Sequence, residues 1–282
     1  MRVDPFDAKY NASDMDSRYG SYQRIQNGHF DSLSDMVRYI ETLPVKAVER
    51  KTDWCRTTTP QALVLAKDGW SAGAEVIAAK ASQMVNRLVN RTSIGQLHEI
   101  GYDTSGAAYD PGALCQGTPE CWGTIVPEVS KRAIHIIYNA SASAGVPESV
   151  IQNRGIAVAA LVWMLNVDGY PVTVDWLDWA EHFTTGTSKI YVRLVDAVSG
   201  SQLDLDRLAF GLGHPAMFRR FGQVVVDGHI GEGSWWGMHH PGQADKHPDC
   251  DLFIGGAHLS DAQRWTDGGE AWVLAEFERQ TK

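Results

Sequence analysis

Residues 69 to 73 read Gly69-Trp70-Ser71-Ala72-Gly73, the G-x-S-x-G frame in which a hydrolase presents a nucleophilic serine. Acyl transfer at Ser71 needs a strand running into a sharp turn and a helix leaving it. That geometry lifts the hydroxyl above the sheet and sets backbone N–H groups around the oxyanion. The preceding stretch, PQALVLAKD, instead has the composition of a helix opened by Pro60 and closed by Gly69. The spacing therefore predicts a corner between two helices, with Ser71 capping the second and Trp70 packing. A serine hydrolase using Ser71, with Asp175 and a histidine as partners, is the enzymatic alternative.

A second polar group stands where a short apolar run, AIHIIY, passes into Asn139-Ala140-Ser141-Ala142-Ser143 and then into a helix. Hydroxyl and amide oxygens at a strand end are hard donors, able to join a divalent cation if carboxylates accompany them. The stretch resembles the start of a von Willebrand factor A (VWA) domain, in which D-x-S-x-S follows the first strand and holds a cation. The resemblance extends over residues 130–282 and implies that Ser199 and Ser201 stand near the loop that supplies a threonine in that family. Two departures matter: Asn139 stands in place of the aspartate, and Gly255-Gly256 stands where a later aspartate is usual. Losing both carboxylates removes most of the charge that offsets dehydration of Mg²⁺. The expectation is no cofactor, or at most a weakly held divalent cation, with Asn139 and the serines satisfying backbone donors at the strand end.

Six of the ten histidines lie between residues 214 and 258, and WWGMHHPGQADKHPDCD sets His239, His240, His247 and Cys250 within a short span. Imidazole and thiolate suit Zn²⁺, but the spacing is that of no zinc finger or ribbon. The stretch reads first as a long loop whose Trp235 and Trp236 pack on the body or on a partner. In MFRRF, Arg219 and Arg220 sit between Phe218 and Phe221, and ten tryptophans are available. Rings plus a few cations can hold single-stranded nucleic acid even in a chain of net charge −9. The same acidity speaks against a duplex-DNA binder that works by neutralising phosphates.

These groups have to be positioned by the elements around them. Residues 1–30 predict an extended, poorly ordered arm. A helix follows in which Leu33, Met36, Val37 and Ile40 make one stripe, with Asp31 or Ser32 as N-cap. The Pro60 helix comes next, then a third over about residues 71–90, then a long irregular connection over 100–127 dense in Gly, Pro and Asp. From there the period changes. Strands are expected at 133–138, 171–177, 190–195 and 251–254, and helices opening at Pro147, at about residue 203 and at about residue 271. Strands alternating with helices predict an α/β fold, an open and mostly parallel sheet flanked by helices, of VWA-like or Rossmann-like outline. The division expected is an arm over 1–30, a helical region over 31–127 and a VWA-like domain over 128–282.

A chain of 282 residues, 44 % hydrophobic, can bury a sizeable core. No run reaches the roughly 18 apolar residues of a membrane span, and four cysteines are too few for a disulfide scaffold.

Taken together, WCRTTTPQALVLAKDGWSAG, GTPECW, IIYNASASAGVPESVIQNRGIAVAALVWMLNVDGYPV and LAFGLGHPAMFRRF resemble a protein family of tailed bacteriophages. The resemblance implies a protein of the bacterial host cytoplasm and brings no reaction with it. The expected function is non-enzymatic. A macromolecular partner, a phage or host protein, is held at the strand ends and the Trp/His loop, with Asn139, Ser141, Ser143, Ser199, Ser201, Arg219, Arg220, Trp235 and Trp236 as candidate contacts. The alternative is a single-stranded DNA-binding factor that recruits phage transcription machinery. No membrane is expected as a partner.

Overall fold

The computed structural model describes residues 24–43, 55, 57–89, 100–103, 108–109, 115–116, 122–125, 131–142, 145–182, 186–196, 203–222, 224–225, 239–241, 250–256, 265 and 269–282. The chain divides into two compact units, one of residues 1–84 with 133–282 and one of residues 85–132. The helices expected to form a separate front region thus pack in the same unit as the α/β layer. Their apolar faces are too narrow to close a core of their own.

The first strand, β1 (Arg24–Phe30), occupies the end of the stretch expected to be an arm. α1 (Leu33–Thr42) starts at Ser32, whose hydroxyl accepts from the Asp35 N–H at 3.1 Å, and it buries Leu33, Met36, Val37 and Ile40. α2 (Thr59–Asp68) is fixed by a capping box: Thr58 Oγ1 accepts from the Gln61 N–H and Gln61 Oε1 accepts from the Thr58 N–H. Gly69 closes α2 at φ 91°, and a Cβ there would run into Asp206, so both backbone and packing call for glycine. α3 (Ser71–Val89) begins at once. Ser71 is its first helical residue and is exposed; the carbonyl before it, Trp70 O, accepts the first helical bond from Ala74 at 3.0 Å. Ser71 is therefore not the expected N-cap, and no strand leads to it.

In the second unit, β2 (Ile100–Asp103), β3 (Ala108–Tyr109) and β4 (Trp122–Ile125) make an antiparallel sheet in the order β2-β4-β3. Pairing of this kind falls inside the segment expected to be irregular.

The main sheet of the first unit continues with β5 (Ile134–Asn139), β6 (Val172–His182), β7 (Gly186–Val195), β8 (His239–Pro241) and β9 (Leu252–Ile254). Its order is β1-β7-β6-β5-β9. β1 runs parallel to β7, and β6, β5 and β9 run parallel to one another. β6 and β7 form an antiparallel pair, and β8 pairs with the far end of β6. The fold is α/β with an open sheet, as expected.

α4 (Glu148–Val167) joins β5 to β6 and is the central core helix, with 13 buried residues. It is the one helix among the described residues long and apolar enough by composition to cross a membrane, and most of it is buried inside the unit. It packs on β6, on α5 (Leu205–Gly213) and on α6 (Glu270–Thr281). The approach of α4 to α5 is close because Gly155 faces the Leu212 carbonyl and Gly213 Cα. The helix expected to run on to residue 221 stops at Gly213. Pro215 has no N–H to continue the ladder, and a π-helix, Met217–Gly222, follows.

Candidate functional site at the strand ends

In an open α/β sheet, ligands meet the protein at the carboxyl ends of the parallel strands. Here those ends are occupied by the protein's own side chains. Asn139, the last residue of β5, is fully buried, and its Oδ1 accepts from the Ser141 N–H at 3.1 Å. Ser141 Oγ donates to Asp178 Oδ1 at 3.0 Å and accepts from the Trp179 N–H at 2.7 Å. The Ala140 N–H donates to Leu177 O at 2.7 Å. β5 and β6 are thus stitched past the end of their ladder.

Arg154 comes in from the second turn of α4. Its Nη2 donates to Asn139 O at 2.5 Å and to Gly255 O just beyond β9. The guanidinium also lies 4.6 Å from the Tyr138 ring centroid. One buried cation, 1 % exposed, therefore ties two strand ends to the helix that leaves the first of them. Burial raises the Tyr138 hydroxyl above its ordinary range although the Arg154 charge opposes it.

Asp178 lies beneath the π-helix. Burial pushes its carboxyl up to about 7, against the opposing hydrogen bond from Ser141. Gly222, the last residue of the π-helix, sits so near that a Cβ there would lie 2.5 Å from Asp178 Oδ2.

A second polar cluster crosses three strands. His135 on β5, Asp175 on β6 and Arg193 on β7 form a chain in which Asp175 Oδ2 is 2.8 Å from His135 Nε2 and Oδ1 accepts from Arg193 Nε at 2.9 Å. Arg193 Nη2 completes a two-toothed grip at 3.2 Å. Burial alone would raise Asp175, but the bonds from His135 and Arg193 and their charges outweigh it and hold the group at about 2. The His135 backbone is pinned as well, since Asp251 Oδ2 accepts from its N–H at 2.8 Å. These bonds make the cluster a brace between strands.

Of the residues singled out in the sequence, Asn139 and Ser141 are together at the strand ends. Both satisfy backbone donors there, the capping role expected of them. Arg219 and Arg220 are corrected: they do not form a cationic surface. They are 4 % and 6 % exposed. Arg219 Nη2 donates to Val146 O at 2.9 Å and Arg220 Nε to Thr57 O at 2.8 Å. Burial lowers Arg219, with the charges of Glu148 and Cys55 opposing. His239 and His240 lie in β8, paired in register with His182 and Glu181, and Cys250 is half-buried just before β9. No group of three or more His, Cys, Asp or Glu able to hold a metal is found among the described residues. Ser143, Ser199, Ser201, Trp235, Trp236 and His247 lie outside the described residues.

Sequence reasoning missed Arg154, Asp178 and the His135–Arg193 brace. A signal was present: Arg154 is a lone charge in the otherwise apolar stretch following Gln152 and Asn153, and VTVDWLDWA carries two acids in a strand of buried residues. A charge in such a run is paired or neutralised when it folds inside.

With this geometry set out, comparison with known proteins adds one match. The family model described as Domain of unknown function (DUF7192) matches residues 11–279. No curated protein and no solved structure matches the chain.

Proposed function

We propose that this chain, which belongs to the DUF7192 family, is a non-enzymatic binding module. In this reading a VWA-like α/β layer holds a macromolecular partner, a phage or host protein, through the loops beyond the carboxyl ends of β5, β6 and β9. It does so without a divalent cation. The observation that carries the reading is the Arg154 guanidinium on the carbonyls of Asn139 and Gly255. A bridging cation draws together oxygens of neighbouring loops, and here an arginine brings the positive charge to the same strand ends. Hard divalent ions require carboxylates. The Asp178 carboxylate is turned under Gly222 and takes a hydrogen bond from Ser141. The succession of strand, helix, antiparallel strand pair, helix and strand also supports a VWA-like layer.

The test is capture of partners by the immobilised full chain from a lysate, carried out in Mg²⁺ and again in EDTA, beside calorimetric titration with Mg²⁺ and Mn²⁺. Equal capture in both buffers, no heat of metal binding, and loss of capture on replacing Trp235 and Trp236 by alanine support the reading. Capture abolished by EDTA would sink it.

A further inference from the structure

Asp178 is 2 % exposed. One of its oxygens accepts from Ser141 Oγ at 3.0 Å, which commits the only proton of that hydroxyl. The other, Oδ2, is buried and has no hydrogen-bond partner among the described residues. It faces the backbone of Gly222, where a Cβ would lie 2.5 Å from it and 3.3 Å from the Trp176 ring. The cations of the elements packed around it are directed to other groups. On the π-helix, Arg219 is on Val146 O and Arg220 on Thr57 O; on α4, Arg154 is on Asn139 O and Gly255 O; on β7, Lys189 lies 4.1 Å from the Trp179 ring centroid. Glu148 stands at the start of α4 and acts on Arg219.

We propose that Asp178 and Gly222 form a proton-operated latch: the neutral acid keeps the π-helix seated against Trp176 and Asp178 of β6, and loss of the proton releases it. A neutral carboxyl in an apolar site loses little. A carboxylate with one donor and a dry second oxygen loses far more. Ser141 and Trp179 are tied into the strand ends by main-chain and side-chain bonds, whereas the π-helix is a short turn of a rare form found often at functional sites. The π-helix is therefore the element that yields. The glycine is needed because any side chain at residue 222 would occupy the space of Oδ2. The acid titrates near neutrality, so the latch works in the range of ordinary cells. It does not rest on the binding reading above, because it concerns local opening of the free chain.

The test is amide hydrogen exchange on the full chain, corrected for intrinsic rates, followed for the amides of residues 217–222 and 178–179 between about pH 4 and pH 8. In the native chain, protection of these amides falls by up to about tenfold per pH unit as pH rises from about 4 towards 7 and levels off above it, while amides in the middle of α4 hold theirs. Asp178→Asn, a neutral isostere, keeps protection high and flat. Gly222→Ala opens the same amides at every pH. A flat profile in the native chain, or an unchanged slope in Asp178→Asn, overturns the latch. Should Asp178→Asn fail to fold, Ser141→Ala serves instead: it removes the Ser141 donor to the carboxylate, and the latch requires the pH at which exchange levels off to move higher.

Discussion

Arg154 and Asn139 are joined through a strand-end carbonyl, with Arg154 Nη2 2.5 Å from Asn139 O, and the same nitrogen reaches Gly255 O. Replacing Arg154 by methionine, which keeps the stem and drops the donors, takes the guanidinium away from the buried Asn139 carbonyl and from the Gly255 carbonyl. Hydrogen bonds from a charged group are worth roughly 1.5–3 kcal/mol each, so urea denaturation of Arg154→Met should show a loss of about 2–4 kcal/mol. A loss under about 0.5 kcal/mol means that the clamp is not structural.

Stability should be nearly independent of pH across a window in which two buried groups oppose each other. Burial raises Asp178 from 3.8 to about 7, so its contribution is present below about pH 4 and is lost as pH rises towards 7. Burial lowers His214 from 6.5 to about 4, so its contribution is present above about pH 6.5 and is lost as pH falls towards 4. Between these limits the folded chain keeps one proton more at Asp178 and one fewer at His214 than the unfolded chain, and the slopes cancel. Asp178→Asn should leave stability rising with pH by about 1.4 kcal/mol per unit, the value of one proton. In His214→Asn, the new side-chain oxygen can replace Nδ1 as acceptor from the Ala216 N–H, and stability should fall with pH by a like amount. Denaturation at four pH values settles both signs.

The strand brace predicts an acid limb. Asp175 is held at about 2 against an ordinary 3.8, so the stability it brings is present above about pH 4 and is lost as pH falls through 2. Asp175→Asn should lose about 2 kcal/mol at pH 7, since the Arg193 guanidinium and the His135 ring lose their carboxylate, and its melting temperature should change less than that of the native chain between pH 4 and 2. Equal acid sensitivity in the two proteins excludes the brace.

Gly155→Ala tests the closest helix contact. A Cβ at this position would overlap the Leu212 carbonyl and Gly213 Cα, backbone that cannot turn aside, so α4 and α5 must part. Overpacking of this kind costs about 1–3 kcal/mol or more. Gly169→Ala is the control for backbone strain alone: its φ is 81° and nothing lies within 4 Å of a Cβ there. A smaller loss in Gly155→Ala than in Gly169→Ala contradicts the contact.

Ser71 should behave as a surface residue. It is exposed at the start of α3 and follows a helix. A fluorophosphonate probe should leave it unlabelled, and Ser71→Ala should shift stability by less than about 0.5 kcal/mol. Labelling that disappears in Ser71→Ala would restore the hydrolase reading.

Local chemistry was written in the sequence and the structure keeps it. Ser32 and Thr58 cap their helices, Gly69 and Gly169 take positive φ beyond helix ends, and the apolar stripe of Leu33, Met36, Val37 and Ile40 is buried. Such signals act over three or four residues, where spacing alone fixes which groups meet. Alternation along Lys189-Ile190-Tyr191-Val192-Arg193 likewise gave the strand and its two faces. What the sequence left open was how distant elements come together. Arg219 and Arg220 look in the sequence like a cationic surface, yet both turn inward, because the Val146 and Thr57 carbonyls, 73 and 163 residues away, need donors. Residues 24–30 carry no strong period, and they form a strand because β7 offers an edge to pair with. Arg154 lies 101 residues from Gly255, and Asp178 lies 37 from Ser141. Only the order of strands in the sheet makes them neighbours, and only burial among those neighbours raises the Asp178 carboxyl to about 7 and sets Arg154 on two strand-end carbonyls.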